Sequence, residues 1–314
     1  MAKAKKQLYT RTRARIIFYT LMMALPIAQI AICYVAVNAN MFIAAFQKYE
    51  YSTTSVGFDI SFSTDNFAVA WNTFMGSGDM IKRSFSLFLV NMFVGFPLAL
   101  IFSFYIYKGY AFSGFFKVFL FLPQIISGLI FALLFKYVAN PVYIQLVKEA
   151  TGATKVLGLL TPENPDAELT TLIIYNVWVS FGVKTLLFSG SMSGIDQSIV
   201  ESAQLDGVNL VQEFIHITLP LIYGTVVQFL LIQVVAVFTD GMHILSFYSQ
   251  RGTHVATLGY FLFVQAQNTD YVIGEKINYT IGQLSAFGII LTAIVLPMTL
   301  VIRKLLNKFG PSVD

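Results

Sequence analysis

Six long runs of apolar residues, five of them without any Asp, Glu, Lys or Arg, constrain this chain more than any other feature of its sequence. An apolar stretch of about 20 residues can cross a bilayer as a helix, in which each backbone N–H and C=O finds a partner. Only 11% of the 314 residues are charged, too few to cover a soluble globule. We therefore predict an all-α polytopic membrane protein with six transmembrane helices at residues 16–47, 84–107, 118–135, 169–187, 214–239 and 277–302.

Residues 1–15 precede the first run and hold six Lys or Arg and no acid. Such a flank is typical of the cytoplasmic side of a membrane, and a nucleic-acid-binding arm is the alternative. The first run is much longer than the apolar core of about 10 residues in a signal peptide, so we expect it to be retained. The predicted organisation is a basic cytoplasmic segment, 1–15, followed by a transmembrane domain, 16–314.

The distribution of charge predicts the orientation of the six helices. With a cytoplasmic N-terminus, the inner segments, together with Lys184 near the inner end of the fourth run, contain twelve of the 20 Lys and Arg residues but five of the 16 acids. Positive charge favours the cytoplasmic side, so both termini and the segment between the fourth and fifth runs are predicted to lie there. Lys184 is the one charge in the fourth run, and we expect its ammonium group to extend to the lipid headgroups.

The segment between the fourth and fifth runs is a polar island in an apolar chain. Asp196 is a helix-capping residue, and Gly207 tolerates the left-handed conformation that ends a helix. Asn209 and Gln212 have the spacing of a capping box, which starts a second helix. We therefore predict two short helices joined by a tight turn; an ordinary polar loop is the alternative. The predicted elements are a helix at 197–205, a turn at Asp206-Gly207 and a second helix from Asn209.

The segment contains Glu201-Ser202-Ala203, then Gly207 and, further on, Ile217 with Leu219-Pro220. In this pattern it resembles the EAA motif of the membrane-embedded permease subunits of ATP-binding-cassette (ABC) importers. That motif is Glu-Ala-Ala, a Gly four positions later, and then Ile-x-Leu-Pro. Asp206, directly before the glycine, resembles the carbohydrate or maltose-type branch, whereas Val208 stands where a small residue is usual. The matching positions are Glu201, Ser202 in place of the first alanine, Ala203, Gly207, Ile217, Leu219 and Pro220.

The resemblance implies the fold and the partners of a type I ABC importer permease. In that family a second homologous permease subunit completes the pathway, and two copies of a cytoplasmic ATP-binding subunit dock on the coupling segments. An extracytoplasmic solute-binding protein delivers the substrate, here a sugar or oligosaccharide, and the complex lies in the bacterial cytoplasmic membrane. The docking positions carried over are Glu201, Ser202, Ala203, Asp206 and Gly207 in a coupling segment at about 196–216.

Two further sets of residues are candidates for function. Leu219 and Pro220 lie near the inner end of the fifth run, where a proline, which lacks an N–H, bends a helix and sets the angle at which a movement of the preceding segment reaches the helix bundle. A simple helix-start proline is the alternative. Polar residues in the spans are candidates for the substrate pathway, although such residues also join helices by hydrogen bonds. They are Asn176, Trp178 and Ser180 in the fourth run and Thr225 and Gln228 in the fifth.

The sequence contains no support for catalysis. It has no Gly-Lys pair and hence no Walker A loop, so ATP hydrolysis must come from a partner. Its three histidines lack the spacing of metal ligands, so no metal, cofactor or catalytic residue is predicted, and the chain is expected not to be an enzyme. The alternatives are a secondary transporter or channel that works alone, an ABC permease for a solute other than a sugar, and a membrane-embedded transferase.

Overall fold

The computed structural model describes residues 2–51, 58–267 and 279–311. These residues separate into two compact units. Unit 1 contains the described residues up to Thr73 together with residues 279–290, and unit 2 contains the others. The predicted sixth span began at 277, and its first two residues lie outside the described part of the chain.

Helices dominate both units, which confirms the predicted all-α class, although the described residues also include one short hairpin. Five helices are long and apolar enough to cross a membrane, and a bent helix pair, Leu210–Leu221 with Tyr223–Ala236, makes six if it counts as one span. The multi-pass character is thus confirmed. The five long helices are Arg15–Ala45, Gly78–Tyr107, Gly128–Thr151, Pro165–Ser193 and Ile281–Lys308.

Unit 1 is built on the first span, which continues into a hairpin. The apolar window of that span has no residue buried against the rest of the chain, so its side chains are open to lipid or to another protein. The elements in order are α1 (Ala2–Gln29), a π-helical turn (Ile30–Ala36), α2 (Val37–Ala45), strands β1 (Gln47–Tyr51) and β2 (Phe58–Phe62), and α3 (Asp65–Gly76).

One buried asparagine fixes the hairpin of unit 1 to the end of the first span. The strands pair antiparallel, with Gln47 opposite Phe62. The Asn66 amide donates to the carbonyls of Ala45 at 3.0 Å and Gln47 at 2.9 Å. A Cβ at Gly282 would lie 2.6 Å from that same amide nitrogen, so only glycine fits there.

Unit 2 is organised around one central helix, α9 (Pro165–Ser193). Its Leu172 and Tyr175 belong to one buried apolar cluster, and its Phe181 and Phe188 belong to a second. The other helices are α4 (Gly78–Val90), α5 (Phe96–Tyr107), α6 (Ser113–Ile125), α7 (Gly128–Tyr137), α8 (Tyr143–Thr151), α10 (Gln197–Leu205), α11 (Leu210–Gln212), α12 (Leu219–Leu221), α13 (Tyr223–Ala236), α14 (Ile244–Tyr248), α15 (Leu258–Gln267) and α16 (Ile281–Phe309), which begins in unit 1.

The prediction of one uninterrupted third span at residues 118–135 is wrong. α6 ends at Ile125, the backbone is extended at Ile126 and Ser127, and α7 begins at Gly128. No charge marks this break, so hydropathy does not detect it. After the break, α7 continues through a π-helical turn (Val138–Val142) and α8 as one apolar helix, into the segment predicted to lie outside the membrane.

A buried carboxylate ties the segment after the fifth span to the start of α9. Glu168 is fully buried, and its Oε1 accepts hydrogen bonds from the Tyr248 hydroxyl and, at 3.1 Å, from His254 Nε2. The Lys136 ammonium lies 5.0 Å from the centre of the Tyr248 ring. Burial, together with Glu168, raises the pKa of Tyr248, so this hydroxyl stays a donor at neutral pH.

Replacing Gly182 with Ala is expected to destabilise unit 2, because a Cβ there would lie 2.0 Å from the Leu120 carbonyl oxygen. Overpacking of this kind costs about 1–3 kcal/mol. The melting temperature of the detergent-solubilised protein should fall. The matched control is Gly190→Ala on the same helix, where nothing lies within 4 Å and alanine is the better helix former. Equal melting temperatures for the two variants would contradict the close contact between α6 and α9.

Candidate functional site

The coupling segment, residues 196–216, begins with a capped helix. Asp196 is in the extended conformation of an N-cap, and its carboxylate accepts the Ser198 N–H at 3.0 Å. This hydrogen bond lowers the pKa of Asp196, so the cap is charged at neutral pH. The helix that follows is α10, with the predicted limits. The predicted first helix is therefore confirmed.

The turn and the second cap of the coupling segment are also as predicted. Gly207 has a φ of +79°, and the Val208 N–H donates to the Ala203 carbonyl at 3.2 Å, which closes the end of α10. The Asn209 side chain accepts the Gln212 N–H at 2.9 Å, while the Gln212 side chain accepts the Asn209 N–H at 3.0 Å. This reciprocal pair is a complete capping box at the start of α11.

The caps leave an exposed face with both polar and apolar groups. Glu201 and Ser202 are exposed, whereas Ala203 is buried and lies on the side of the helix that packs against the rest of this chain. The sequence analysis missed three apolar side chains on this face: Leu205 is 89% exposed, Val211 66% and Leu210 50%. Leu210 and Val211 line an open groove of about 630 Å³ with Gln204, Val208, Asn209 and Glu213. An exposed apolar group rimmed by polar residues is typical of a protein contact surface.

The chain bends sharply where the coupling segment joins the fifth span. A π-helical turn (Glu213–Thr218) and α12 precede the bend, and α13 leaves it at 76°. The Ile222 N–H donates to the Thr218 carbonyl, and the Ile222 carbonyl accepts from Thr225 and Val226, so Ile222 ends one arm and begins the other. The fifth span predicted at 214–239 is therefore bent, as expected from its proline, and the bend lies two residues after Pro220.

The polar residues of the fourth span are joined to other helices. Asn91 donates to the Asn176 side-chain oxygen at 3.0 Å, and its own oxygen accepts from Ser180 at 3.3 Å. Asn176 also donates to Asp240 at 3.3 Å. Asn176 and Ser180, four residues apart on one helix, thus lie on a common face, and the network adds Asn91 and Asp240, which the sequence analysis did not single out. An asparagine inside an uncharged apolar run was the available signal for Asn91.

The other pathway candidates are dispersed. Trp178 packs among the rings of Phe119, Phe131 and Phe135, and the Thr225 hydroxyl lies 3.2 Å from that of Ser191. Gln228 is exposed.

The expectation for Lys184 is wrong: its ammonium group is buried and donates to Ser180 at 3.4 Å instead of extending to the headgroups.

Comparison with known families identifies the class of this protein. Residues 81–314 match the family described as binding-protein-dependent transport system inner membrane component. This match covers more than half of the chain, so the chain belongs to that family of transport permeases.

Among the described residues, no group of three or more His, Cys, Asp or Glu is arranged to hold a metal ion.

Relatives with known names are transport permeases. The chain is 29% identical over 185 residues to the maltose/maltodextrin transport system permease protein MalF of Vibrio vulnificus (strain YJ016), an alignment that covers 54% of this chain and 33% of that protein. The chain therefore spans about a third of that relative's length. It is 24% identical over 280 residues to the arabinooligosaccharides transport system permease protein AraP of Bacillus subtilis (strain 168), covering 86% of this chain and 82% of the relative.

The fold is similar to that of two solved transporter chains. One belongs to a bacterial ABC transporter involved in the import of the acidic polysaccharide alginate; it is 18% identical, with a TM-score of 0.69, and the match covers 97% of this chain and 100% of that one. The other comes from a bacterial alginate ABC transporter in complex with a periplasmic protein that holds an alginate pentasaccharide, with 18% identity, a TM-score of 0.70 and coverage of 93% and 94%.

Substitution of Gly207 tests the turn. Alanine has no steric conflict there, since nothing lies within 4 Å of the place that its Cβ would occupy, but a positive φ costs an L-residue about 1–2 kcal/mol. Gly207→Ala should therefore speed hydrogen exchange of the amides at 203–210, and Gly207→Asn, which tolerates this conformation, should do so less. Gly224→Ala is the control, because Gly224 is exposed and equally open. Exchange in Gly207→Ala no faster than in this control would exclude a strained turn.

Proposed function

We propose that this chain is one transmembrane subunit of an ATP-driven, binding-protein-dependent importer that translocates a sugar or oligosaccharide. The observation that carries the proposal is the coupling segment: two short helices, each with its own cap, present an exposed face at Glu201 and Ser202 and are joined by a turn at Gly207. A capped helix transmits a push as a rigid body, whereas a loose loop would absorb it. Family membership supports this role.

The docking surface consists of Glu201, Ser202, Asp206 and Gly207, with Ala203 beneath it. Glu201 offers a charge-assisted contact, and Leu205 and Val211 add apolar area that a partner can cover. The proposed partner at this surface is a cytoplasmic ATP-binding subunit, of which two copies serve this chain and a second homologous permease subunit. The sequence has no Gly-Lys pair and hence no Walker A loop, which supports ATP hydrolysis by a separate subunit.

The proposed orientation places both termini and the coupling segment in the cytoplasm. The support is the excess of Lys and Arg in the segments that this orientation puts inside, chiefly residues 1–15 and the end of α16 with Arg303, Lys304 and Lys308. The proposed location is accordingly the bacterial cytoplasmic membrane, with the first-span hairpin on the outer side, where a solute-binding protein delivers the sugar.

The substrate class rests on the named relatives, whose names refer to maltose, maltodextrin and arabinooligosaccharides, and on the alginate importer. Within the chain, Asn176, Ser180 and Thr225 already have hydrogen-bond partners, and Trp178 is packed against aromatic rings. Gln228 is the one pathway candidate that is exposed. We assign the first four mainly to holding the pathway helices together, and Gln228 to its lining.

In the proposed cycle, closure of the ATP-binding subunits moves the two coupling segments, and the push passes Leu219 and Pro220 into α13. The 76° bend after Pro220 converts motion of the segment into a change in the direction of the fifth span. The cavity between the two permeases then opens outward to receive the sugar, and hydrolysis of ATP restores the inward-facing state.

Co-purification tests this proposal. The tagged chain, extracted from its native membrane in mild detergent, is expected to bring with it a second permease and an ATP-binding subunit. The double variant Glu201→Lys with Gly207→Trp should lose the ATP-binding subunit and keep the second permease, because it reverses the charge and blocks the docking surface.

The matched control is Glu163→Lys with Gly224→Trp, the same chemical changes at two exposed positions outside the coupling segment. It should keep both partners. A wild-type chain that purifies alone, and that transports down a gradient when reconstituted by itself in liposomes, would replace the proposal with a stand-alone secondary transporter or channel.

A further inference from the structure

An ion pair fixes the coupling segment to the end of a different helix. The Lys108 ammonium, directly after α5, pairs with Glu213 Oε1, the first residue of the π-helical turn. The Glu213 side chain is 2% exposed and that of Lys108 13%. A carboxylate taken out of water to this extent is stable only beside an opposite charge, so the two side chains hold each other in place.

Aromatic rings surround this pair. The Lys108 ammonium lies 5.7 Å from the ring centres of both Phe104 and Tyr107, within the distance of a cation–π contact. The Phe104 ring in turn lies 5.0 Å from the ring of Phe214, the neighbour of Glu213. The end of α5 and the start of the π-helical turn therefore share both a charge contact and an apolar contact.

The backbone around Lys108 is fixed by its own hydrogen bonds. The Lys108 N–H donates to the Phe104 carbonyl at 2.9 Å, and Gly109, with a φ of +67°, donates to the Ile106 carbonyl at 3.1 Å. The Tyr105 hydroxyl donates to the Ala111 carbonyl at 2.6 Å across the turn. These hydrogen bonds fix the backbone at the end of α5, and with it the position from which the Lys108 side chain extends.

The other arm of the bend has a different anchor. The Tyr223 hydroxyl, at the start of α13, donates to the Leu306 carbonyl of α16 at 2.8 Å. A Cβ at Gly310 would lie 2.2 Å from the Tyr223 ring, so the two helices are in close contact. The arm before the bend is held by α5, and the arm after it by α16.

We propose that the Lys108–Glu213 ion pair is a positioning link that makes the coupling segment and the end of the second span move as one body. This inference rests on the proposed function, because it gives the push from the ATP-binding subunit a second route. One route runs through the bend into α13, and the other runs through Glu213 and Lys108 into α5. Both residues act through the coupling segment and contact neither ATP nor sugar.

The test measures the distance between spin labels on the two linked parts. The labels are placed at Gln197→Cys and Ala111→Cys, both exposed, in a Cys33→Ala background. The parent should give one narrow distance distribution in lipid nanodiscs, unchanged when the co-purified complex is trapped with ATP and vanadate. Glu213→Gln and Lys108→Glu should each lose the narrow distribution, because each leaves a buried charge or carboxylate without its partner.

Two further variants separate a link from a general folding effect. Lys108→Arg keeps the charge and should keep the narrow distribution, and Lys108→Glu with Glu213→Lys should give a narrower distribution than Lys108→Glu alone. Lys117→Glu, a charge reversal at an exposed lysine of α6, is the matched control and should behave as the parent. Melting temperatures are recorded for every variant.

A narrow distribution in Glu213→Gln, or a parent distribution that shifts on trapping, would overturn the link. The nucleotide-free measurement needs no partner, so the link is tested even if no ATP-binding subunit co-purifies. Failure of the proposed function, in contrast, is read from the absence of that subunit.

Discussion

Where a transmembrane helix ends or bends, backbone N–H and C=O groups lose their helical partners and need others. This constraint determines the structure of the functional part of the chain. Asp196 supplies a partner at the start of α10, the left-handed turn at Gly207 at its end, and the capping box of Asn209 at the next start. At Ile222 the N–H completes one arm and the carbonyl begins the next. Hydrogen bonds thus close both helices of the segment, and at the 76° bend both backbone groups of Ile222 have partners.

Local signals explain what the sequence predicted well. Caps and a capping box involve residues within five positions of one another, so the boundaries of α10 and the turn after it could be predicted from residue type alone. The apolar runs likewise predicted a multi-pass helical protein. The break at Ile126 and Ser127 has uncharged flanks, so hydropathy does not detect it, and its local signals are only Pro123 before it and the Ser127-Gly128 pair within it. Before the break, α6 packs closely against α9, where Gly182 admits the Leu120 backbone.

Packing between helices accounts for the remaining errors. Lys184 was expected at the headgroups because it is a lysine near the end of a run, yet Ser180 and the network around Asn91 give it a partner inside unit 2. The pairing of Lys108 with Glu213 joins residues of two different segments, so no local pattern contains it. Membership in the permease family agrees with the resemblance found at Glu201 to Pro220, but the residues that anchor both arms of the bend became visible only in the fold.

The central claim is that the exposed face of the coupling segment contacts an ATP-binding protein, and site-specific photo-crosslinking in native membranes tests it most directly. A benzoylphenylalanine at Leu205, which is 89% exposed, is expected to crosslink to a cytoplasmic ATP-binding subunit. The same group at Leu129, an exposed apolar position at the start of α7, is expected not to do so. Crosslinks from position 205 to lipid alone, or to an extracytoplasmic protein, would contradict the account.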